Sequence, residues 1–171
     1  MAKRKSTTPK LGTCWHEAGH AVAALAQGLH VITVSVMAEQ DWNGSCVQPS
    51  LLMYDARGRK QLARCCIIST YAGIEAERLN DPNASEELSQ SDFDHAFEMS
   101  REYGVLPRGC GYVGDDVHHA FLDRLRGEAR RLVRRHRDEI RRLALALSKR
   151  RTLTGEQAKA VVQSTHSDAA D

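Results

Sequence analysis

The sequence predicts a single α+β domain, predominantly α-helical, with one small β-sheet or hairpin. Apolar residues recur at spacings of three and four along most of the 171 residues, one short stretch alternates with a period of two, and 42% of the residues are hydrophobic, enough to bury a core. No internal repeat and no second domain is visible. Residues 11–163 read as the domain, residues 1–10 as a disordered basic tail and residues 164–171 as a second disordered tail.

The first element is a helix from about Cys14 to Gln27. Ala18, Ala21, Val22, Ala24 and Leu25 give it an apolar stripe, and Gly28 is a plausible stop. Within it stands His16-Glu17-Ala18-Gly19-His20. Residues i and i+4 share a helix face, so His16 and His20 can address one ion while Glu17 is offset toward an open coordination position. Such a pattern also arises by chance, but a buried helix has little use for two unpartnered imidazoles. Metal binding is therefore expected.

His30 to Met37 alternates strand formers, with Val31, Thr33 and Ser35 on one face and Ile32, Val34 and Val36 on the other. Asn43-Gly44 suits a tight return into Ser45–Gln48, and Pro49 ends the pairing. From Gly58 to Leu79 the period becomes helical, and Leu62, Cys65, Cys66, Ser69, Ala72, Gly73 and Ala76 form a small-residue face fit to pack closely on the first helix. Asn80-Asp81-Pro82 stops it. Ser89 or Ser91 then caps a helix running to about Tyr103, closed by Gly104.

Leu122, Leu125, Ala129, Leu132, Val133, His136, Ile140, Leu143 and Leu147 predict one long final helix with arginines on its other face. That face reads either as a nucleic-acid surface or as a solvated surface neutralised by Asp123, Glu128, Asp138 and Glu139. The second is favoured, so no nucleic-acid partner is expected. Thr152 or Thr154 caps a short last helix ending near Val162.

Composition narrows the function. A net charge of +2 is too near neutral to argue for a polyanion. No run approaches the roughly 20 apolar residues of a membrane span, and no apolar signal core follows the basic start, so a soluble cytoplasmic protein is expected. Five cysteines without a C-x-x-C pair favour reduced thiols over disulfides or a cysteine metal site.

A catalytic zinc takes three protein ligands and keeps one position for water. Candidates for the third ligand are Glu75 and Glu77 on the second long helix, Asp92, Asp94 and His95 on the next, and Asp115, Asp116, His118 and His119 on a late loop. Spacing does not choose among them, because helix packing decides proximity.

The chain resembles the peptidase domain of the FtsH-type, ATP-dependent zinc proteases. Residues 16–21 read HEAGHA, as in that family's signature helix, and Tyr71 to Leu79 is similar to its GGRAAEE helix, with Gly73, Ala76 and Glu77 in step. Ser91-Asp92-Phe93-Asp94-His95-Ala96 resembles the segment that supplies the family's third zinc ligand. Arg101-Glu102-Tyr103-Gly104 resembles the turn that follows and Leu153-Thr154-Gly155-Glu156 the L-x-G-E start of the family's last helix, so the likeness runs from about Leu11 to Val162. It implies Asp92 as the third ligand, with Asp94 and His95 as alternatives. It also implies that Glu77 accepts a hydrogen bond from the distal nitrogen of a ligand histidine.

The resemblance implies a zinc-dependent endopeptidase acting on unfolded or extended polypeptides, with Glu17 as general base. Substrate is expected to pair as an extended strand with Val31, Ile32, Thr33, Val34, Ser35 and Val36, the family's edge strand. The chain departs from the family in lacking a membrane anchor and an ATPase phosphate loop, so activity independent of ATP is expected, with a separate ATPase or a homo-oligomer as possible partners. Phe97 stands where the family has threonine, and Glu75 where it has a small residue. Two other functions fit the same fold: a hydrolase of a different amide, and a zinc-binding regulatory or interaction protein. Retention of Glu17 weighs against the latter, since a structural zinc needs no base.

Overall fold

The computed structural model describes residues 10–37, 45–47, 56–105 and 115–164. Residues 1–9 and 165–171 of the tails expected over 1–10 and 164–171, the Asn43-Gly44 turn and Pro49 lie outside these residues. The helices are α1 (Leu11–Ala26), α2 (Ala56–Asn80), α3 (Gln90–Glu102, after a short 3-10 helix Glu86–Ser89), α4 (Asp115–Arg135), α5 (Arg137–Arg150) and α6 (Gly155–Gln163). The strands β1 (Thr33–Ser35), β2 (Ser45–Val47) and β3 (Thr152–Thr154) form one antiparallel sheet in the order β2-β1-β3. The domain is thus mostly helical with one small sheet, as the periodicity predicts. No helix among the described residues is long and apolar enough to cross a membrane.

α1 and α2 are the central pair, and their close approach follows from the small residues on both. A Cβ added to Gly19 would stand 2.5 Å from both the Ala72 carbonyl oxygen and the Ala76 Cβ, so only glycine lets the two backbones meet there. Cys14, Ala18, Ala21, Ala23 and Ala24 are fully buried along α1. α4 and α3 cover α2, while α5 covers α1. Ile67 of α2, Leu125 of α4 and Ile140, Leu143 and Leu147 of α5 are fully buried between these layers, each contributing about 1.5–3 kcal/mol of apolar transfer. Gly28 and Gly104, at φ of 75° and 54°, end α1 and α3 where glycine predicts a stop.

Three expectations are corrected. The long final helix is two helices, broken at His136, where φ −104° and ψ 28° leave the helical range. No proline or glycine stands there. The His136 amide still donates to the Leu132 carbonyl and its carbonyl accepts from the Ile140 amide, both at 3.0 Å, so the irregularity is confined to this one residue. The segment from Asp115 to His119, expected as a loop, is the first turn of α4.

The third correction concerns β1, which occupies the middle of the sheet. Val34 faces Cys46 of β2 on one side and Leu153 of β3 on the other. Beyond the strand, the Ile32 carbonyl accepts from the Gly155 amide at 2.8 Å and the Val36 amide donates to the Arg151 carbonyl at 2.8 Å. Along Thr33, Val34 and Ser35 an extended peptide therefore has no free edge to pair with, while Val31, Ile32 and Val36 of the expected docking strand lie beyond the described β2 pairing. The unforeseen element is β3, which leads straight into α6. Thr154 serves both, since its side chain accepts from the Gln157 amide while Gln157 accepts from the Thr154 amide, a reciprocal cap.

Candidate metal centre

His16 and His20 emerge from one face of α1 with their rings edge-on, centroids 4.6 Å apart. Asp92 reaches them from α3: its Oδ2 lies 3.0 Å from His16 Nε2 and 3.6 Å from His20 Nε2. Ligand atoms of the three residues all fall within 4.8 Å of one another, and among the described residues this is the group of histidine, cysteine and carboxylate side chains that can hold a metal ion. Two distances bracket the roughly 3.3 Å edge of a tetrahedron with bonds of about 2.0–2.1 Å.

Both imidazoles are oriented from behind. His20 Nδ1 donates to the Ser69 carbonyl at 2.9 Å, which leaves Nε2 of the neutral ring as a lone pair facing Asp92. His16 Nδ1 lies 3.3 Å from Glu77 Oε2, one α2 turn beyond Gly73, with the same consequence for its Nε2. Gln27 ties the far end of α1 to α2 by donating to the Cys65 carbonyl at 3.1 Å and to Ser69 Oγ at 3.0 Å. Ser69 and Gln27 were visible in the sequence only as a packing residue and a helix end.

Gly73 makes the remaining space. A Cβ there would lie 2.6 Å from His20 Nε2 and 2.8 Å from His16 Nε2, closer than side-chain carbons approach. The bare backbone of α2 thus forms the floor beneath both ligating nitrogens.

Burial disfavours charge on His16, but hydrogen bonds to Asp92 and Glu77 outweigh it and push its pKa up to about 10. Burial alone would raise the Asp92 carboxyl; the two imidazoles overcome that and hold it well below the usual carboxylate range. Glu17 goes the other way. Burial pushes its pKa up against the pull of His20 and His16, its side chain is almost wholly enclosed, and its Oε2 is buried without a hydrogen-bond partner among the described residues. A buried carboxylate oxygen with nothing to accept from is unusual enough to mark a place where a small polar molecule belongs.

The other candidate ligands lie elsewhere. Asp94 and His119 line a cleft of about 480 Å³ between α2, α3 and α4, walled by Tyr71, Phe93 and Phe97. His95 is exposed, and His118 is buried against Ser100 and the Phe97 ring. Asp116 is exposed at the start of α4, and the Asp115 side chain lies outside the described residues. Glu75 is buried and turned toward α4, where Arg126 Nε and Arg130 Nε each donate to it at 2.8 Å. Cys14, Cys65 and Cys66 are free thiols. Compared with known protein families the chain matches none, and no curated protein matches it.

Proposed function

We propose that the chain is a zinc-dependent peptidase in which His16, His20 and Asp92 hold the ion and Glu17 is the general base. What carries this is the convergence of three ligand groups, one of them 76 positions away in sequence, beside a buried carboxylate with an unsatisfied oxygen. Two imidazoles and one carboxylate suit zinc, and three protein ligands leave a position for water, as catalytic rather than structural sites do. The ring orientations set by Ser69 and Glu77, and the space left by Gly73, fit the same ion.

A bound zinc supplies a water of lowered pKa and a Lewis acid for a carbonyl oxygen. Glu17 accepts the proton that this water loses, and its enclosed site, which favours the protonated form, lets it hold that proton and return it to the departing amine nitrogen. Asp92 would keep one negative charge among the ligands, while Glu77, accepting from His16 Nδ1, would hold the neutral ring with Nε2 toward the ion and raise its basicity.

The resemblance of residues 16–21, 71–79 and 91–96 to the FtsH-type peptidase domain extends this from water activation to peptide bonds. With β1 paired on both sides, an extended polypeptide would join the outer side of β2, which packs against α1. The test is digestion of a fluorescently labelled, permanently unfolded protein without ATP, followed by mass spectrometry of the products. Internal cleavage that a chelator stops and added zinc restores is expected. Intact substrate across a panel of unfolded proteins, with zinc bound, would remove the peptidase assignment.

A further inference from the structure

The residues of α4 and α5, 115–150, include eleven basic against six acidic side chains. Arg126 and Arg130 turn to Glu75, but Arg131, Arg134, Arg135, Arg137 and Arg141 are exposed and engage no other described residue. Of the four carboxylates expected to neutralise them, two are engaged by other side chains and a third faces another part of the surface. Glu128 pairs with Arg64 of α2, Glu139 lies 3.4 Å from His136, and Asp123 lines the aromatic cleft. Asp138 alone remains among five guanidinium groups.

At 100° per residue the five arginines occupy an arc of about 160°, opposite the buried Leu125, Ala129, Val133, Ile140 and Leu143. The break at His136 does not scatter them, because His136 still donates to the Leu132 carbonyl and accepts from the Ile140 amide at 3.0 Å. They span about 15 Å of helix, a length over which the two strands of a duplex together present about nine phosphates, enough for one per arginine.

We infer that this face binds the phosphate backbone of duplex nucleic acid, independently of the metal centre. Five arginines and no lysine suit phosphate, which a guanidinium grips with two parallel hydrogen bonds. A lipid surface fits less well, since the core takes most of the apolar side chains of both helices and, among the described residues, leaves only Val117 and Leu145 as exposed large apolar side chains, too few to insert. Single strands fit less well too, because no phenylalanine, tyrosine or tryptophan occurs after Phe121 to stack on bases. Backbone contact alone carries no sequence preference.

The test is fluorescence anisotropy with a labelled DNA duplex of about 30 base pairs, titrated over a range of salt. Five phosphate contacts give a slope of log K against log salt of about −4.5, and Arg131→Gln/Arg135→Gln should reduce it by about 1.8, as should Arg137→Gln/Arg141→Gln. Lys10→Gln/Lys159→Gln removes the same charge elsewhere and should leave the slope unchanged. Circular dichroism of each variant should match the wild type, because all six positions are exposed. No binding at low salt, equal loss in all three variants, or binding to phosphatidylserine vesicles but not to the duplex would overturn the inference.

Discussion

Gly73 of α2 lies directly beneath His20 of α1: a Cβ on Gly73 would stand 2.6 Å from the Nε2 that faces Asp92. The neighbour is not the loose end of a flexible chain, because Ser69 holds the ring from its other nitrogen. Gly73→Ala must therefore push α1 and α2 apart or rotate both imidazoles. It is expected to weaken zinc binding by about 10–100-fold, the range seen when the support of a ligand is disturbed. Competition against a chromophoric chelator checks this.

Glu77→Gln removes the charge that faces His16 Nδ1 but keeps an acceptor oxygen. Zinc affinity should fall about tenfold while the fold stays intact. An unchanged affinity would show that Glu77 does not act through His16.

These two predictions separate what was legible in the sequence from what was not. The i, i+4 spacing of His16 and His20 placed both on one helix face, and the small residues of α2 announced a close crossing. Which acid completes the group depended on how α3 lies against α1, a relation across 76 residues that no local period encodes. Asp92 came from the resemblance, and the geometry brings it to both histidines while Asp94 faces the other way. β3 escaped notice because three residues, Thr152–Thr154, give too little alternation to register beside a helix cap. The break at His136 left no trace in sequence because no glycine or proline marks it.

In the metal-free chain, Asp92 and Glu77 hold a proton on His16. Its folded pKa of about 10 lies above the ordinary 6.5, so the charged ring stabilises that form fully below about pH 6.5, and the contribution fades as pH rises toward 10. Zinc requires the neutral ring and must displace this proton across that window. Calorimetry at pH 7 in two buffers of different ionisation heat should show about one proton released from this group, with apparent affinity rising up to tenfold per pH unit. Uptake with no proton release would contradict the arrangement.

Glu75 is a structural acid. Burial would raise its pKa, but Arg130 and Arg126 prevail and lower it, with Arg126 Nη2 also donating to Glu86 at 2.6 Å. Glu75→Ala removes the buried carboxylate that Arg126 and Arg130 share and should cost about 2 kcal/mol, moderated because Arg130 still reaches water and Arg126 keeps Glu86. Because the folded pKa is depressed, the ionised form contributes fully above about pH 4.5, and that contribution is lost as pH falls through the folded value. The stability gap between wild type and Glu75→Gln, from urea unfolding, should therefore shrink on acidification below pH 4.5.

The central claim is that Glu17 serves chemistry at a zinc site it does not help to build. Zinc content and cleavage of an unfolded substrate, measured together for the wild type and Glu17→Gln, test it most directly. One zinc per chain in both proteins, with cleavage reduced by roughly 100-fold or more in the variant, is the expected result. Equal cleavage by both proteins, or loss of zinc along with activity, would contradict the assignment of Glu17 as the base.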